Sequence, residues 1–92
     1  MKQITMTLKK EWFDKILSGE KTTEYREYKP YWHKRLDQTP ESILFRNGYH
    51  KNAPAFIAQI DGIEVIDGIN TDLKTPGLVY AIKLKHVKKI SA

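Results

Sequence analysis

The chain of 92 residues contains no cysteine. Disulfide bonds, thiolate zinc sites and cysteine nucleophiles are therefore excluded, and the absence is typical of a cytoplasmic protein. Long hydrophobic runs are missing too, since no stretch approaches the roughly 20 apolar residues of a membrane span. The first ten residues, MKQITMTLKK, alternate polar and apolar side chains, which is not the pattern of a signal peptide. We expect a cytoplasmic protein that does not enter a membrane.

Motifs for metals and for common cofactors are also missing. The histidines do not have the spacing of metal ligands: His33, His50 and His86. The chain has no phosphate-binding loop, dinucleotide-binding motif or nucleophile elbow. Four carboxylates have the spacing of ordinary solvated strands and loops, and we assign them no role: Asp61, Glu64, Asp67 and Asp72. We therefore predict neither a metal nor a cofactor.

Positive charge is plentiful but unevenly distributed. Residues 1–36 hold nine Lys/Arg and five Asp/Glu, residues 37–72 hold two and six, and residues 73–92 hold five and none. The three segments therefore carry net charges of +4, −4 and +5. If the two basic ends lie side by side in the fold, they form a basic face that suits a polyanion such as RNA. Charge alone equally allows a mildly basic domain that binds no nucleic acid.

Length and hydrophobic periodicity predict one small domain over residues 1–92, α+β but mostly β. Alternation of apolar and polar residues predicts five strands, at 3–8, 21–28, 42–46, 55–66 and 78–85. No βαβ rhythm is present, so we expect a small barrel or one curled sheet.

The remaining elements are predicted from helical spacing and from single residues. An apolar stripe that includes Trp12 and Ile16 predicts one main helix near 9–18, which Gly19 closes in the left-handed conformation. Residues 31–36 are predicted as a short helical turn. Gly62 marks a bulge, and residues 86–92 are expected to form a basic, partly frayed tail.

Residues 18–26, SGEKTTEYR, concentrate charge where the second strand begins. On a strand, Glu24 and Arg26 point to one face, and Thr23 and Tyr25 to the other, where we expect them to join the core. The charged face turns either to bulk solvent, where the pair contributes little, or into a cleft, where each charge needs a partner. Spacing alone favours the solvated arrangement.

The same residues resemble the start of the ASCH domain family, whose signature is a strand, a helix ending in Gly, then Lys, an acidic residue and Arg. Gly19, Lys21, Glu24 and Arg26 stand in those places, and the resemblance extends over about residues 3–30. It implies a PUA-like pseudo-β-barrel of five to six strands with one main helix. It also implies that RNA or a nucleoside or nucleotide binds in a polar cleft lined by the Lys, Glu and Arg.

Some members of this family are enzymes, which implies an alternative function. One branch hydrolyses the amide of N4-acetylcytidine with a Lys, a Thr and a Glu, and others are reported as ribonucleases. Lys21 matches the Lys, but Glu24 occupies the position of the Thr, and the segment before the last strand is too short to match the one that supplies the Glu. The alternative is therefore a hydrolase of modified nucleosides or RNA, with Lys21 as acid/base and Glu24 beside it.

Two further residues complete the predicted ligand site of Lys21, Glu24, Arg26, Arg46 and Tyr80. Arg46 belongs to FRNGYHK (45–51), where Arg46 and His50 suit phosphate and Tyr49 suits base stacking, although a plain hairpin turn explains the segment equally well. Tyr80 lies on the inward face of the last predicted strand, where a core role is an equal alternative. In YKPYWHKR (28–35), we expect Trp32 to plug the barrel end, with the basic side chains outside.

Overall fold

Within residues 2–49 and 52–91, which a computed structural model describes, the chain forms five β-strands and two helices. In chain order these are β1 (Gln3–Thr7), α1 (Lys10–Leu17), β2 (Thr23–Glu27), α2 (Pro30–Leu36), β3 (Ser42–Arg46), β4 (Ala55–Asp67) and β5 (Leu78–Ser91). The predicted class, α+β and mostly β, is confirmed, since strands account for 47% of the structure.

The five strands form one sheet, in the order β1-β3-β4-β5-β2, that curls into a half-barrel. β1 and β3 run parallel, whereas the other three pairs are antiparallel. β1 and β2 are therefore the two edge strands. β2, from the basic segment 1–36, pairs with β5, from the basic segment 73–92, so these two segments lie side by side in the sheet.

β4 and β5 are the longest strands of the sheet and form a hairpin within it. Its register runs from Ala55↔Ser91 to Asp67↔Leu78, so the predicted frayed tail is wrong: residues 86–91 continue β5. The predicted irregularity at Gly62 is confirmed by a register shift between Ile60 and Gly62, where Gly62 has a φ of 143°. Such shifts bend a strand and increase its twist, which lets the sheet curl.

Single residues explain where α1 ends and where α2 begins. α1 falls inside the predicted range, and Gly19 follows it with a φ of 88°, a conformation that costs glycine little. α2 is longer than the predicted turn, because Pro30 at its first position has the φ of a helix and no N–H to leave unpaired. The chain thus has a second helix beside the predicted main one.

The core lies between α1 and the concave face of the sheet. Phe13 and Ile16 of α1 pack into a buried cluster that includes Phe45 of β3 and Phe56 of β4. The rings of Phe13 and Phe56 lie 4.8 Å apart, centroid to centroid, in a tilted arrangement. Each fully buried aromatic side chain contributes roughly 1.5–3 kcal/mol, so these contacts fix α1 against the sheet.

Charges of opposite sign meet on the exposed face of the β4–β5 hairpin. Lys83 forms an ion pair with Glu64, and Lys85 Nζ lies 3.3 Å from Asp61 Oδ1. The hydrogen bond from Lys83 to Glu64 raises the pKa of this lysine. The acidic middle of the chain therefore offsets part of the basic C-terminal segment.

None of the helices in the described residues has the length and apolar character needed to cross a bilayer.

Candidate functional site

A cleft of about 340 Å³ opens at the edge of the half-barrel. Its walls come from the end of β1, from α1, β2 and α2, and from the loop that joins β4 to β5. Five of the side chains that line it are charged or aromatic: Trp12, Lys21, Glu24, Arg26 and Trp32. The cleft therefore combines charged groups with two indole rings.

Glu24 lies at the centre of the charged group and is only 6% exposed. Its Oε2 accepts a hydrogen bond from Arg26 Nη2 at 2.6 Å, and its Oε1 lies 3.5 Å from Lys21 Nζ. Across the sheet, Glu24 pairs with the buried Ile82, so its side chain is on the inner face of β2. A carboxylate in this position needs the two cations, because burial without partners would cost several kcal/mol.

Lys21 is held by contacts on several sides, and its side chain is almost as buried as that of Glu24. Besides Glu24, its ammonium donates a hydrogen bond to the carboxylate of Asp72. The ammonium also lies 4.8 Å from the ring centroid of Trp12 and 5.0 Å from that of Tyr25. Cation–π contacts of this length hold the charge in place where water has been removed.

Arg26 links the two edges of the sheet. Its Nη2 donates to the backbone oxygen of Thr7 at 3.4 Å, so one guanidinium joins β2 to the end of β1. Its Cζ lies 5.0 Å from the ring centroid of Trp32, which places the indole of α2 against the guanidinium. Arg26 Nε is buried without a hydrogen-bond partner among the described residues.

The prediction that Glu24 and Arg26 share a face is confirmed, and that face turns into the cleft and not toward bulk solvent. The prediction that Thr23 and Tyr25 join the core is wrong, because both are only half-buried. The alternation of side chains along β2 was predicted correctly, but Glu24 and Arg26 are the residues on its inner face. The strand partners of that pair, Ile82 and Tyr80, are the buried ones.

Tyr80 lies next to the cleft and not in its lining. It pairs with Arg26 across the sheet, is 8% exposed, and its hydroxyl lies 2.6 Å from His33 Nδ1. Burial raises the pKa of the Tyr80 phenol, and the neighbouring Tyr28 and Asp37 add to the shift. Through His33 on α2, Tyr80 helps to fix the helix that carries Trp32.

Arg46 lies at the end of β3, where it pairs with Thr7 in the register. Its backbone oxygen accepts from the N–H of Leu8, and its side chain is not part of the cleft lining within the described residues. Nearby, Tyr49 is 92% exposed, whereas His50 lies outside the described residues. The structure therefore brings together Lys21, Glu24 and Arg26 of the five predicted residues.

The segment 28–35 divides between the cleft and the exterior. Trp32 is half-buried and forms a wall of the cleft beside Arg26, whereas its role as a plug of the barrel end stays a prediction. Lys34 is exposed, and Arg35 stacks on Tyr31 with its Cζ 3.6 Å from the ring centroid. The basic side chains of this segment are thus directed away from the charged centre.

Asp72 is the site residue that sequence reasoning missed. It belongs to the β4–β5 loop, 51 positions from Lys21, and no spacing in the sequence signals their contact. The loop is shaped locally: Thr71 is buried and donates to the backbone oxygen of Gly68 at 2.8 Å. The only sequence signal for this loop was its turn-forming composition, which locates a turn but not its contacts.

A second hollow of about 370 Å³ adjoins the cleft. The two share four residues, Trp12, Lys21, Tyr25 and Asp72, so the contact between Lys21 and Asp72 lies on their common wall. A ligand longer than one ring system could therefore extend from the cleft across this wall.

Chemically, the cleft offers a carboxylate for N–H donors, cations for carbonyl or phosphate oxygens, and indole surfaces for a flat ring. Among the described residues, no three His, Asp or Glu side chains are arranged to hold a metal ion. In comparisons with known proteins, no family model, no curated protein and no solved structure matches this chain.

Proposed function

We propose that this chain is a PUA-like domain of the ASCH type that binds RNA or a nucleotide-like ligand in the cleft. The observation that carries the proposal is the buried carboxylate of Glu24, held between Lys21 and Arg26 in a cleft that both tryptophans line. The half-barrel with α1 packed over its concave face agrees with the architecture that the resemblance implies.

The ion triad is better explained by binding than by stability. Three charged side chains withdrawn from water lose hydration, and replacing such groups with well-packed apolar ones is often neutral or stabilising. Stability therefore does not explain why Lys21, Glu24 and Arg26 lie together at the edge of the core, whereas ligand binding does. Low exposure also strengthens their attraction for a polar ligand that enters the cleft.

The dimensions and walls suit a nucleoside. Small-molecule sites in proteins usually enclose roughly 300–1,000 Å³, and the cleft of about 340 Å³ lies at the lower end of that range. Indole rings provide stacking surfaces for bases, and nearby cations provide contacts for phosphate. Lys9, which also lines the cleft and is exposed, is in position to contact a phosphate group.

A second candidate function is hydrolysis of a modified nucleoside or of RNA. It is favoured by one observation: Lys21 Nζ lies 3.5 Å from Glu24 Oε1, and the carboxylate of Asp72 contacts the same ammonium. An amine between carboxylates is a minimal acid/base pair for proton transfer. Incubation with N4-acetylcytidine and with short RNA, followed by chromatography, tests this function. Turnover that is lost in Lys21→Met would support it.

Binding can be tested with the chain's own fluorescence. The protein has two tryptophans, and both line the cleft, so intrinsic tryptophan emission reports on this site. We expect saturable quenching on titration with nucleoside monophosphates or short single-stranded RNA, and weaker binding in Arg26→Ala. Glu64→Gln, on the opposite face, is the matched control and should bind normally. Unchanged emission at millimolar concentrations of every ligand would refute the proposal.

A further inference from the structure

The carboxylate of Glu24 has two oxygens, and each already has one cation beside it. Oε1 faces Lys21 Nζ and Oε2 faces Arg26 Nη2. A carboxylate oxygen has two lone pairs, so each can accept one more hydrogen bond from a ligand. Read from Lys21 to Arg26, the polar edge of the cleft is therefore donor, acceptor, acceptor, donor.

The flanking cations still have donors for a ligand. Lys21 has three N–H groups; among the described residues its ammonium donates a hydrogen bond to Asp72 and lies 3.5 Å from Glu24 Oε1. The hydrogen bonds of Arg26 with described residues, to Glu24 and to the Thr7 backbone, both come from Nη2. The third ammonium hydrogen and the Nη1 group are then available for acceptors on either side of the carboxylate.

The four common bases differ in what they offer to such an edge. Guanine presents O6 as acceptor, N1–H and the N2 amino group as adjacent donors, and N3 as acceptor, in that order. Uracil has a single N–H between two carbonyl oxygens. Adenine and cytosine place their amino group beside a ring nitrogen that has a lone pair. Among the four, guanine alone gives a carboxylate two adjacent N–H donors.

We propose, on the basis of the nucleotide-binding function above, that the cleft selects guanine through a two-point contact of its N1–H and N2 amino groups with Glu24. O6 accepts from Lys21, and N3 accepts from Arg26. The ring lies against the indole walls of Trp12 and Trp32, which stack on any base and so leave the choice of base to the polar edge.

Discrimination comes as much from rejection as from attraction. Adenine and cytosine would bring a ring-nitrogen lone pair against a carboxylate oxygen, and uracil would bring a carbonyl oxygen. In a cleft with little water, this repulsion and the unpaired group that it leaves are costly. The same site therefore holds guanine and disfavours the other three bases.

The test is calorimetric titration of the whole chain with GMP, IMP, AMP, CMP and UMP at one fixed, low salt concentration. We expect GMP to bind about tenfold or more tightly than AMP, CMP and UMP. IMP, which keeps O6 and N1–H but lacks the amino group, should bind more weakly than GMP. Five-nucleotide RNAs with and without one G show whether the guanine belongs to an RNA strand or to a free nucleotide. A preference for the G-containing RNA that exceeds the preference for GMP over AMP identifies an exposed G in a strand. A smaller preference in RNA identifies a free nucleotide.

Variants assign the preference to Glu24. Glu24→Gln loses one acceptor oxygen and the charge, so its GMP-to-AMP preference should fall to about threefold or less. Glu64→Gln should keep the full preference. Should Glu24→Gln not fold, the nucleotide panel on the unmodified chain decides alone. Equal binding of all five nucleotides, or of GMP and IMP, overturns the guanine contact but leaves nucleotide binding in place, whereas no binding of any nucleotide or RNA overturns both.

Discussion

The ion pair of Glu24 and Arg26 provides a quantitative test of whether the cleft excludes water. The atoms lie 2.6 Å apart, and the side chains are 8% and 19% exposed. A double-mutant cycle of Glu24→Gln and Arg26→Ala measures the interaction energy of the pair from four urea unfolding curves, followed by far-UV circular dichroism. Dichroism is preferred to fluorescence because both substitutions lie beside the tryptophans of the cleft.

The expected magnitude follows from the burial of the pair. Two unit charges about 4 Å apart attract by roughly 4 kcal/mol at the effective dielectric constant of 20 that suits such sites. Desolvation and the contact of Glu24 with Lys21, which survives in Arg26→Ala, reduce this value. We therefore expect an interaction energy of about 2 kcal/mol, which is measurable in a domain whose total stability is on the order of 5–15 kcal/mol.

An exposed pair on the same chain is the control. Lys10 and Asp14 on α1 lie 2.7 Å apart, close to the separation in the cleft, but their side chains are 80% and 54% exposed. Their cycle should give only about 0.3–0.5 kcal/mol, as is usual for solvated pairs on helices. Equal interaction energies in the two cycles would refute the argument that the cleft withdraws its charges from water.

Three other predictions follow from residues outside the triad. Gly68→Ala should destabilise the fold by about 1–3 kcal/mol, as measured by urea unfolding, because the added Cβ would lie 2.6 Å from Val79 Cγ1; an unchanged midpoint would contradict this. Since burial raises the pKa of Tyr80, the folded state holds this proton more tightly than the unfolded chain. Its stabilising contribution is complete below the usual pKa of 10.0 and is lost as the pH rises through the raised value, so the unmodified chain should lose more stability than Tyr80→Phe as the pH rises above 10.0. Replacing Lys83 and Lys85 with Gln should change the salt dependence of RNA binding by less than about one unit of slope, because both face carboxylates; a drop of about two would place them in the interface.

Much of the fold follows from local patterns in the sequence. Alternation located all five strands, helical spacing located α1, and glycine at a positive φ fixed both the end of α1 and the bulge at Gly62. The length of β5 was missed, because residues 86–91 are ordered by pairing with the start of β4, more than thirty positions away. Pairing over such distances leaves no local pattern.

The site was predictable to the extent that it is local. Glu24 and Arg26 share a face because side chains alternate along a strand, so their spacing of two residues was enough to predict it. Which of the two faces turns inward depends on the partner strand, so the expected core position of Thr23 and Tyr25 was wrong. The contacts of Lys21 with Asp72 and of Arg26 with Trp32 bring together separate elements, and only the assembled sheet defines them.

The central claim is that a nucleotide binds in the cleft, and chemical-shift mapping tests it most directly. A ¹H–¹⁵N correlation spectrum of the labelled chain contains two indole N–H signals, from Trp12 and Trp32, which lie on separate walls of the cleft. On addition of nucleoside monophosphates, we predict that the largest changes occur at both indole signals and at the backbone amides of Lys21, Glu24 and Arg26. Changes confined to the exposed face of the β4–β5 hairpin, or none at millimolar nucleotide, would contradict the claim.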